Sequence, residues 1–433
     1  MIEFRLEDIV PIPKYTTHHK IDGLYLVIAP EIPTWIVLDK DEFKLFELFK
    51  LSFSIEKSLI TFMENTNSSE EYARNIMESL LYKIEKSKFY NHTKSIIMDD
   101  ADSIIKNIHV FITHKCNLHC PYCYVSAGEP LKDELNINEW KNAFLKLSKV
   151  APNSEITFSG GEPLTKEGIL EILRFTKDLG FQNFLFTNGI LINEDNIKTL
   201  QETVSLIQIS LDGLSKETHD MMRGKGTFKR IMKSIELIKK HKIDLDLAIN
   251  ITPNNIDEMV NELVFFIKNL SYPKLGIRLN YHMDKEGYAV NLNEDYFNVY
   301  IKNRQKIKKL ITKLIHEGLY TPNEKAKFKQ LRNCGIGLSF GIDSNGDIYP
   351  CDKLYKSYGN IKTDDLEKIS QKFSELNEKT EIKYMEECQE CDLKYICNGG
   401  CRINNIIATG SYTKPACSEE YKLELYEKLV YRF

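Results

Sequence analysis

The chain has 433 residues, of which 42% are hydrophobic and 28% charged, material enough for a packed core and for two or three domains. A net charge of -4 provides no broad basic surface for neutralising phosphates, which argues against nucleic acid as a partner, and no apolar run approaches the length of a membrane span. The opening "MIEFRLEDIV" has no basic stretch followed by an apolar one, so the expectation is a cytoplasmic protein with no membrane partner.

Residues 1–95 contain no cysteine. They read as two strands, "LYLVIAP" and "TWIVLD", joined by "EIP", and then three helices, "EFKLFELFK", "IEKSLITFM" and "SEEYARNIMESLLYKIEK". Asp39 with Glu42 and Ser68 with Glu71 have capping-box spacing at two helix starts. No catalytic motif marks this small sheet and its helices.

From residue 105 the pattern changes. Six apolar, β-rich runs, "NIHVFIT", "SEITFSG", "NFLFTNG", "SLIQISLDG", "LDLAINIT" and "LGIRLNYH", alternate with stretches of helical period such as "INEWKNAFLKLSKV", "EGILEILRFTKDLG", "TFKRIMKSIELIKK" and "NIDEMVNELVFFIKNL". That alternation predicts an α/β fold with a parallel sheet, an open or partial (β/α)6 barrel whose chemistry sits at the carboxyl ends of its strands. "THKCNLHCPYCYVSAGEP" follows the first strand and carries Cys116, Cys120 and Cys123. "SGGEP" follows the second, "TNG" ends the third, "ISLDG" ends the fourth, and "HDMMRGKG" comes after it.

Ten cysteines are many for a reducing compartment if they are only structural, and metal ligation is the natural use. Iron–sulfur clusters are held by thiolates, and a four-iron cluster bound by three of them keeps one iron open to a small molecule. A closed zinc site completed by His114 or His119 is the competing reading of the triplet. The remaining seven cysteines crowd the last quarter: Cys334, Cys351, then Cys388, Cys391, Cys397 and Cys401 within "CQECDLKYICNGGC", and Cys417.

Taken with "SGGEP", the triplet and its aromatic neighbour in "CNLHCPYCY" resemble the radical S-adenosylmethionine (SAM) family over residues 105–320. The resemblance implies that Cys116, Cys120 and Cys123 hold a 4Fe-4S cluster whose open iron SAM chelates, and that a 5'-deoxyadenosyl radical abstracts hydrogen from substrate. It places Tyr122 near the adenine and Gly160, Gly161, Glu162 and Pro163 at the methionyl amino group. Asn188, Ser210 and Asp212 become candidates for the ribose or carboxylate, and Arg223 for the carboxylate's cation. Singly, an "NG" or "DG" is also an ordinary turn.

Residues 330–433 resemble the SPASM extension, which carries two auxiliary 4Fe-4S clusters. This implies that Cys388, Cys391, Cys397 and Cys417 close one cluster while Cys334, Cys351 and Cys401 hold the other. Fully ligated members have an extra cysteine near the position of Phe340, absent here, so the latter cluster is expected to keep an open iron for a substrate thiolate, or for water or a carboxylate. Residues 1–95 resemble the winged-helix-like domain that recognises leader peptides in ribosomal peptide maturation, with a dimerisation or packing domain as the alternative. The whole is similar to the thioether-forming maturases of sactipeptides and ranthipeptides. That implies a precursor peptide with a leader as substrate, and an electron donor such as flavodoxin or ferredoxin. Carbon–carbon or carbon–oxygen crosslinking, oxidative decarboxylation, sulfatase-type maturation and a non-catalytic electron carrier are the other readings.

Overall fold

The computed structural model describes residues 4–90, 105–320 and 332–431, so the expected boundaries at 95 and 330 lie outside the described residues. The chain divides into two compact units, one from Met1–Asp102, Pro322–Cys334 and Lys379–Phe433, the other from Ser103–Thr321 and Gly335–Glu378.

The first unit begins with three antiparallel strands in the order β1 (Thr17–Ile21), β2 (Leu24–Ala29) and β3 (Thr34–Leu38), followed by α1 (Lys40–Lys50), α2 (Ile55–Thr66) and α3 (Glu70–Lys86). The sequence reading expects only the last two strands. Strand β1, "THHKI", buries only Ile21 fully and so lacks an apolar signature. Its turn was nevertheless legible: Asp22 and Gly23, both at positive φ, form the two-residue Asp-Gly link that joins hairpin strands. The capping box at α1 is present, with Asp39 accepting from the backbone N–H groups of Asp41 and Glu42 while Glu42 accepts from the Asp39 N–H at 2.8 Å. At α3 the cap is Ser69, one residue later than expected, accepting from the Tyr72 N–H.

Alternation along the strands sends side chains to two faces. Val27, Ala29, Ile36 and Leu38 meet Leu45, Phe46, Phe62 and Ile84 of the helices. Leu26 and Ile28 meet Leu393, Leu429 and Val430, which belong to the last stretch of the chain. That stretch holds two short helices, α13 (Lys394–Cys397) and α14 (Arg402–Thr409), and the longer α15 (Glu419–Tyr431).

In the second unit, β4 (Asn107–Thr113), β5 (Glu155–Gly160), β6 (Gln182–Thr187), β7 (Leu206–Ser210), β8 (Leu245–Asn250) and β9 (Leu275–Asn280) run parallel in sequence order, the six strands that the periodicity predicts. Their connections are α4 (Ile137–Val150), α5 (Ile169–Asp178), α6 (Ile197–Thr203), α7 (Lys216–Arg223), α8 (Thr227–Lys240) and α9 (Ile256–Leu270), with α10 (Glu294–Phe297) and α11 (Val299–His316) after β9. This is the expected partial (β/α)6 barrel. Strand β10 (Ser339–Ile342) adds in parallel to the free side of β4, and β11 (Asp347–Tyr349) and β12 (Gly359–Asn360) continue the sheet antiparallel before α12 (Leu366–Lys379). No helix of the described residues is long and apolar enough to cross a membrane.

Candidate active site

The cysteine triplet lies on the long loop between β4 and α4, at the carboxyl end of the first barrel strand, and the turn after β5 pins the start of that loop. Gly161 and Glu162 donate backbone N–H groups to the carbonyls of Thr113 and Lys115 at 2.8 and 2.9 Å. A β-carbon on Gly160 would stand 2.3 Å from the Thr113 carbonyl oxygen, and one on Gly161 would stand 2.4 Å from that of Lys115. Both glycines of "SGGEP" are therefore required for these two stretches of the chain to touch. Glu134 clamps the same stretch, accepting from Thr113 Oγ1, the His114 N–H and Lys166 Nζ.

Glu162 caps the short turn Pro163–Thr165 and is fully buried. Its Oε1 accepts from Thr187 Oγ1 at 2.7 Å and the Leu164 N–H, and Oε2 accepts from the Asn188 N–H at 2.7 Å. Burial pushes this carboxyl above its usual range, opposed by those hydrogen bonds. No cationic side chain pairs with it among the described residues. A buried carboxylate without a cation suits an ammonium group arriving with a ligand. Asn188 also donates from Nδ2 to Asn117 Oδ1 at 2.8 Å, tying β6 to the triplet loop.

Asp212, fully buried beyond the end of β7, accepts from Tyr122 Oη, from Arg223 Nε and from the Asn250 N–H. The Arg223 guanidinium lies 5.6 Å from the centre of the Tyr122 ring. Tyr122, Asp212 and Arg223 thus form one buried network beside Cys120, whose thiol is pushed up by burial and held down by the Arg223 charge. Ser210 ends β7, half-buried, outside this network. His114, a zinc candidate, is committed to Asp343 Oδ1 at 2.7 Å.

All ten cysteines are free thiols. Cys116 and Cys123 each accept a backbone N–H, from Leu118 at 3.4 Å and Ala127 at 3.3 Å. Burial is the main reason that Cys116 and Cys388 are pushed up to about 11, so a bound cation is what would make them anionic ligands. The donor set fits iron–sulfur clusters. Among the described residues no three His, Cys, Asp or Glu side chains are gathered closely enough for a single metal ion.

In the first unit, Arg402 is fully buried and donates to the carbonyls of Asn398, Thr380 and Gly400, placing a positive charge among Cys334, Cys388, Cys397 and Cys401. Cys391, Cys397 and Cys417 belong to the same unit, with Asp392 accepting from Thr17 Oγ1 and Tyr426 Oη and paired with His19 at 2.6 Å. Cys351 follows β11 in the other unit. Phe340 is buried against Phe373 of α12, ring centres 5.4 Å apart, so a cysteine there would face that helix.

Sequence reasoning missed Glu134, Asn117, Thr187, Asn250 and Arg402. The first four act through hydrogen bonds to residues distant in sequence, for which no local pattern exists; Arg402, which directly follows a cysteine, bonds the nearby carbonyls of Asn398 and Gly400 as well as the distant Thr380.

Known families match two stretches: residues 110–267 fit the radical SAM superfamily, and residues 334–392 fit the SPASM iron–sulfur cluster-binding domain. The chain carries a radical SAM domain and a SPASM domain. It is 28% identical to an AdoMet-dependent heme synthase of Oleidesulfovibrio alaskensis over 74% of this chain and 89% of that one. A cysteine-type anaerobic sulfatase-maturating enzyme of Clostridium perfringens is likewise 28% identical, over 66% and 86%. Among solved structures, Streptococcus suis SuiB bound to the precursor peptide SuiA aligns over 94% of this chain and 98% of its own, with a TM-score of 0.53 and 16% identity. The protein is a SAM-dependent radical enzyme: when bound, the cluster and SAM supply a carbon-centred radical able to take hydrogen from an unactivated carbon. Near the cysteine triplet, Glu162 is buried without a paired cation among the described residues and Tyr122 is held through Asp212 and Arg223.

Proposed function

We propose that this enzyme oxidatively modifies a ribosomally made precursor peptide, joining cysteine sulfur to substrate carbon in thioether crosslinks. The observation that carries this reading is the amino-terminal part, three strands and three helices with no catalytic motif, preserved in a fold that matches a peptide-bound SuiB along almost its full length. Strand β3 ends the small sheet, and an extended leader is taken as an added strand there. All ten thiolates ligate, three to the SAM cluster and seven to two auxiliary clusters. The auxiliary clusters pass the second electron of the oxidation to a flavodoxin- or ferredoxin-type carrier. The auxiliary cluster that lacks a fourth cysteine keeps an open iron, and that iron binds the substrate thiolate.

The test compares the full precursor with its leaderless core as substrates for the whole chain. Turnover of the core should fall by about tenfold or more, the loss expected when a tethered binding site is removed. Equal turnover would assign residues 1–95 to packing alone. An isolated fragment of those residues is unsuitable, because it would bare Leu26, Ile28, Trp35 and Val37, which pack on the carboxyl-terminal stretch.

A second reading has its own observation. The 28% identity to an AdoMet-dependent heme synthase spans most of that protein's length and favours a tetrapyrrole as the substrate. It assigns no task to the amino-terminal sheet. Turnover of a carboxylated tetrapyrrole, with release of carbon dioxide, would establish it instead.

A further inference from the structure

The barrel strands send alternate side chains to the helices and to the concave face. On β8, Leu245, Leu247 and Ile249 are buried on one side while Asp246, Ala248 and Asn250 take the other. On β9 the alternation places Gly276, Arg278 and Asn280 together. Arg278 lies with its guanidinium 5.9 Å from the ring centre of Phe186 on β6, three strands away, and Phe186 meets the ring of His109 on β4 at 6.2 Å. Such contacts reach across the hollow of the barrel, so these residues share one cavity wall.

Arg278 gives its Nε to Asp246 Oδ2 at 3.0 Å. The chain makes room for that contact: a β-carbon on Gly276, the residue paired with Asp246, would stand 2.1 Å from Asp246 Oδ1. The guanidinium is thereby fixed by one edge, while its side chain stays 57% exposed against 17% for Asp246. Its Nη groups donate no hydrogen bond among the described residues. Two further polar atoms of the same wall, Gln208 Oε1 and His109 Nε2, are buried without a partner. Unsatisfied buried groups are costly unless a ligand meets them. Gln208 and Arg278 each stand two residues before the end of their strands, about 7 Å below the loops that carry Glu162 and Asn188. A substrate carbon held there lies directly beneath the SAM side of the barrel.

We propose that Arg278 selects an acidic residue of the substrate peptide, gripping its side-chain carboxylate with both Nη groups while Gln208 and His109 meet the peptide's main chain. Asp246 orients the guanidinium and Phe186 carries its face, the fork geometry that lysine does not reproduce. Asp352, which acts electrostatically on His109, adds negative charge on that side and leaves the Arg278 end as the place for an anion. The inference deepens the peptide reading above and rests on it for the class of ligand. A carboxylate could also come from a tetrapyrrole, and the test separates the two.

The reconstituted holoenzyme with SAM, under anaerobic conditions, is equilibrated with four pools of synthetic decapeptides whose flanks are random and whose central residue is Glu, Asp, Gln or Asn. Retained peptide is measured by mass spectrometry, and a dicarboxylated tetrapyrrole is offered in a parallel arm. Wild type should retain the acidic pools about tenfold over the amide pools, the worth of one charge-assisted pair. Arg278→Gln should erase that preference and Arg278→Lys restore part of it; the position is half-exposed, and unchanged circular dichroism verifies the fold of both variants. Where the tetrapyrrole shows no Arg278-dependent binding, equal retention of acid and amide pools by wild type, or a preference that survives Arg278→Gln, overturns the assignment and leaves the peptide reading standing. Arg278-dependent binding of the tetrapyrrole alone keeps the carboxylate site and overturns the peptide reading. No Arg278-dependent binding in either arm overturns the carboxylate site itself.

Discussion

The loop of Cys116, Cys120 and Cys123 hangs from a barrel whose strands bury Ile108, Val110, Ile156, Phe158, Ile207 and Leu247 without any help from sulfur. Cys388, Cys391, Cys397 and Cys417 instead lie in a stretch of short helices whose few buried apolar side chains include Ile382, Leu393, Ile403 and Leu429. On the ligand assignment proposed above, the same chemistry would be grafted on a self-sufficient scaffold in one place, and in the other would be part of what holds the scaffold together. A small module with little core needs ligation for its folding free energy, whereas a loop on a large barrel needs it only for function.

Two triple substitutions break that comparison most strongly. Replacing Cys116, Cys120 and Cys123 by alanine should abolish SAM cleavage and remove about one third of roughly twelve irons. Protease resistance of the barrel should be unchanged. Replacing Cys388, Cys391 and Cys397 should make residues 379–433 protease-sensitive and destabilise the first unit by several kcal/mol, the scale of structural metal binding discounted for the packing that remains. Proteolysis with mass mapping of the fragments reads both, and equal protection in the two variants would refute the distinction.

The barrel's own polar anchors should matter next. Arg223→Met leaves the Asp212 carboxylate buried without its cation and should cost about 3–5 kcal/mol in urea unfolding, most of it regained in the Arg223→Met, Asp212→Leu double variant. His219, fully buried on α7 with both ring nitrogens unpartnered, is pushed down to about 4 by burial and the Arg223 charge. Its folded value lies below the unfolded one, so the unfolded chain takes up the proton first and stability is lost as pH falls from about 6.5 towards 4. Relative to His219→Leu, wild type should lose up to about 3 kcal/mol across that window and nothing further below it. In the first unit, Asp392→Asn weakens the ties to His19, Thr17 and Tyr426 and should cost about 1–2 kcal/mol. That effect should grow when the neighbouring thiols are unligated, if ligation and sheet packing share the work.

The sequence made local regularity visible and left distant pairing hidden. Strand β4 and helices α4 and α8 coincide with the runs read from periodicity, because alternation and a 3.6-residue repeat are local properties. Strand β1 escaped because "THHKI" is polar, its partner being supplied across a two-residue turn. Asp212 and Arg223 were each legible as residues near a strand end, but their union with Tyr122 depends on α7 folding back over the barrel mouth. The packing of the sheet's second face on α15 and the cysteine stretch could not be read at all, since Leu26 and Leu429 are joined only by the fold. Arg278 was legible as a strand residue and nothing more, its meaning resting on Gly276, Asp246 and Phe186 on three different strands.

The most direct measurement is anaerobic incubation of the reconstituted enzyme with SAM, a reductant and a candidate precursor peptide whose core carries cysteines, followed by mass spectrometry of both products. The account predicts that 5'-deoxyadenosine release rises with the peptide and that the peptide becomes lighter by two hydrogens for each cysteine thioether. It also predicts that a peptide whose core cysteines are replaced by serine shows no such loss. Unchanged peptide mass beside brisk SAM cleavage, or the same mass loss in the serine peptide, would contradict thioether formation.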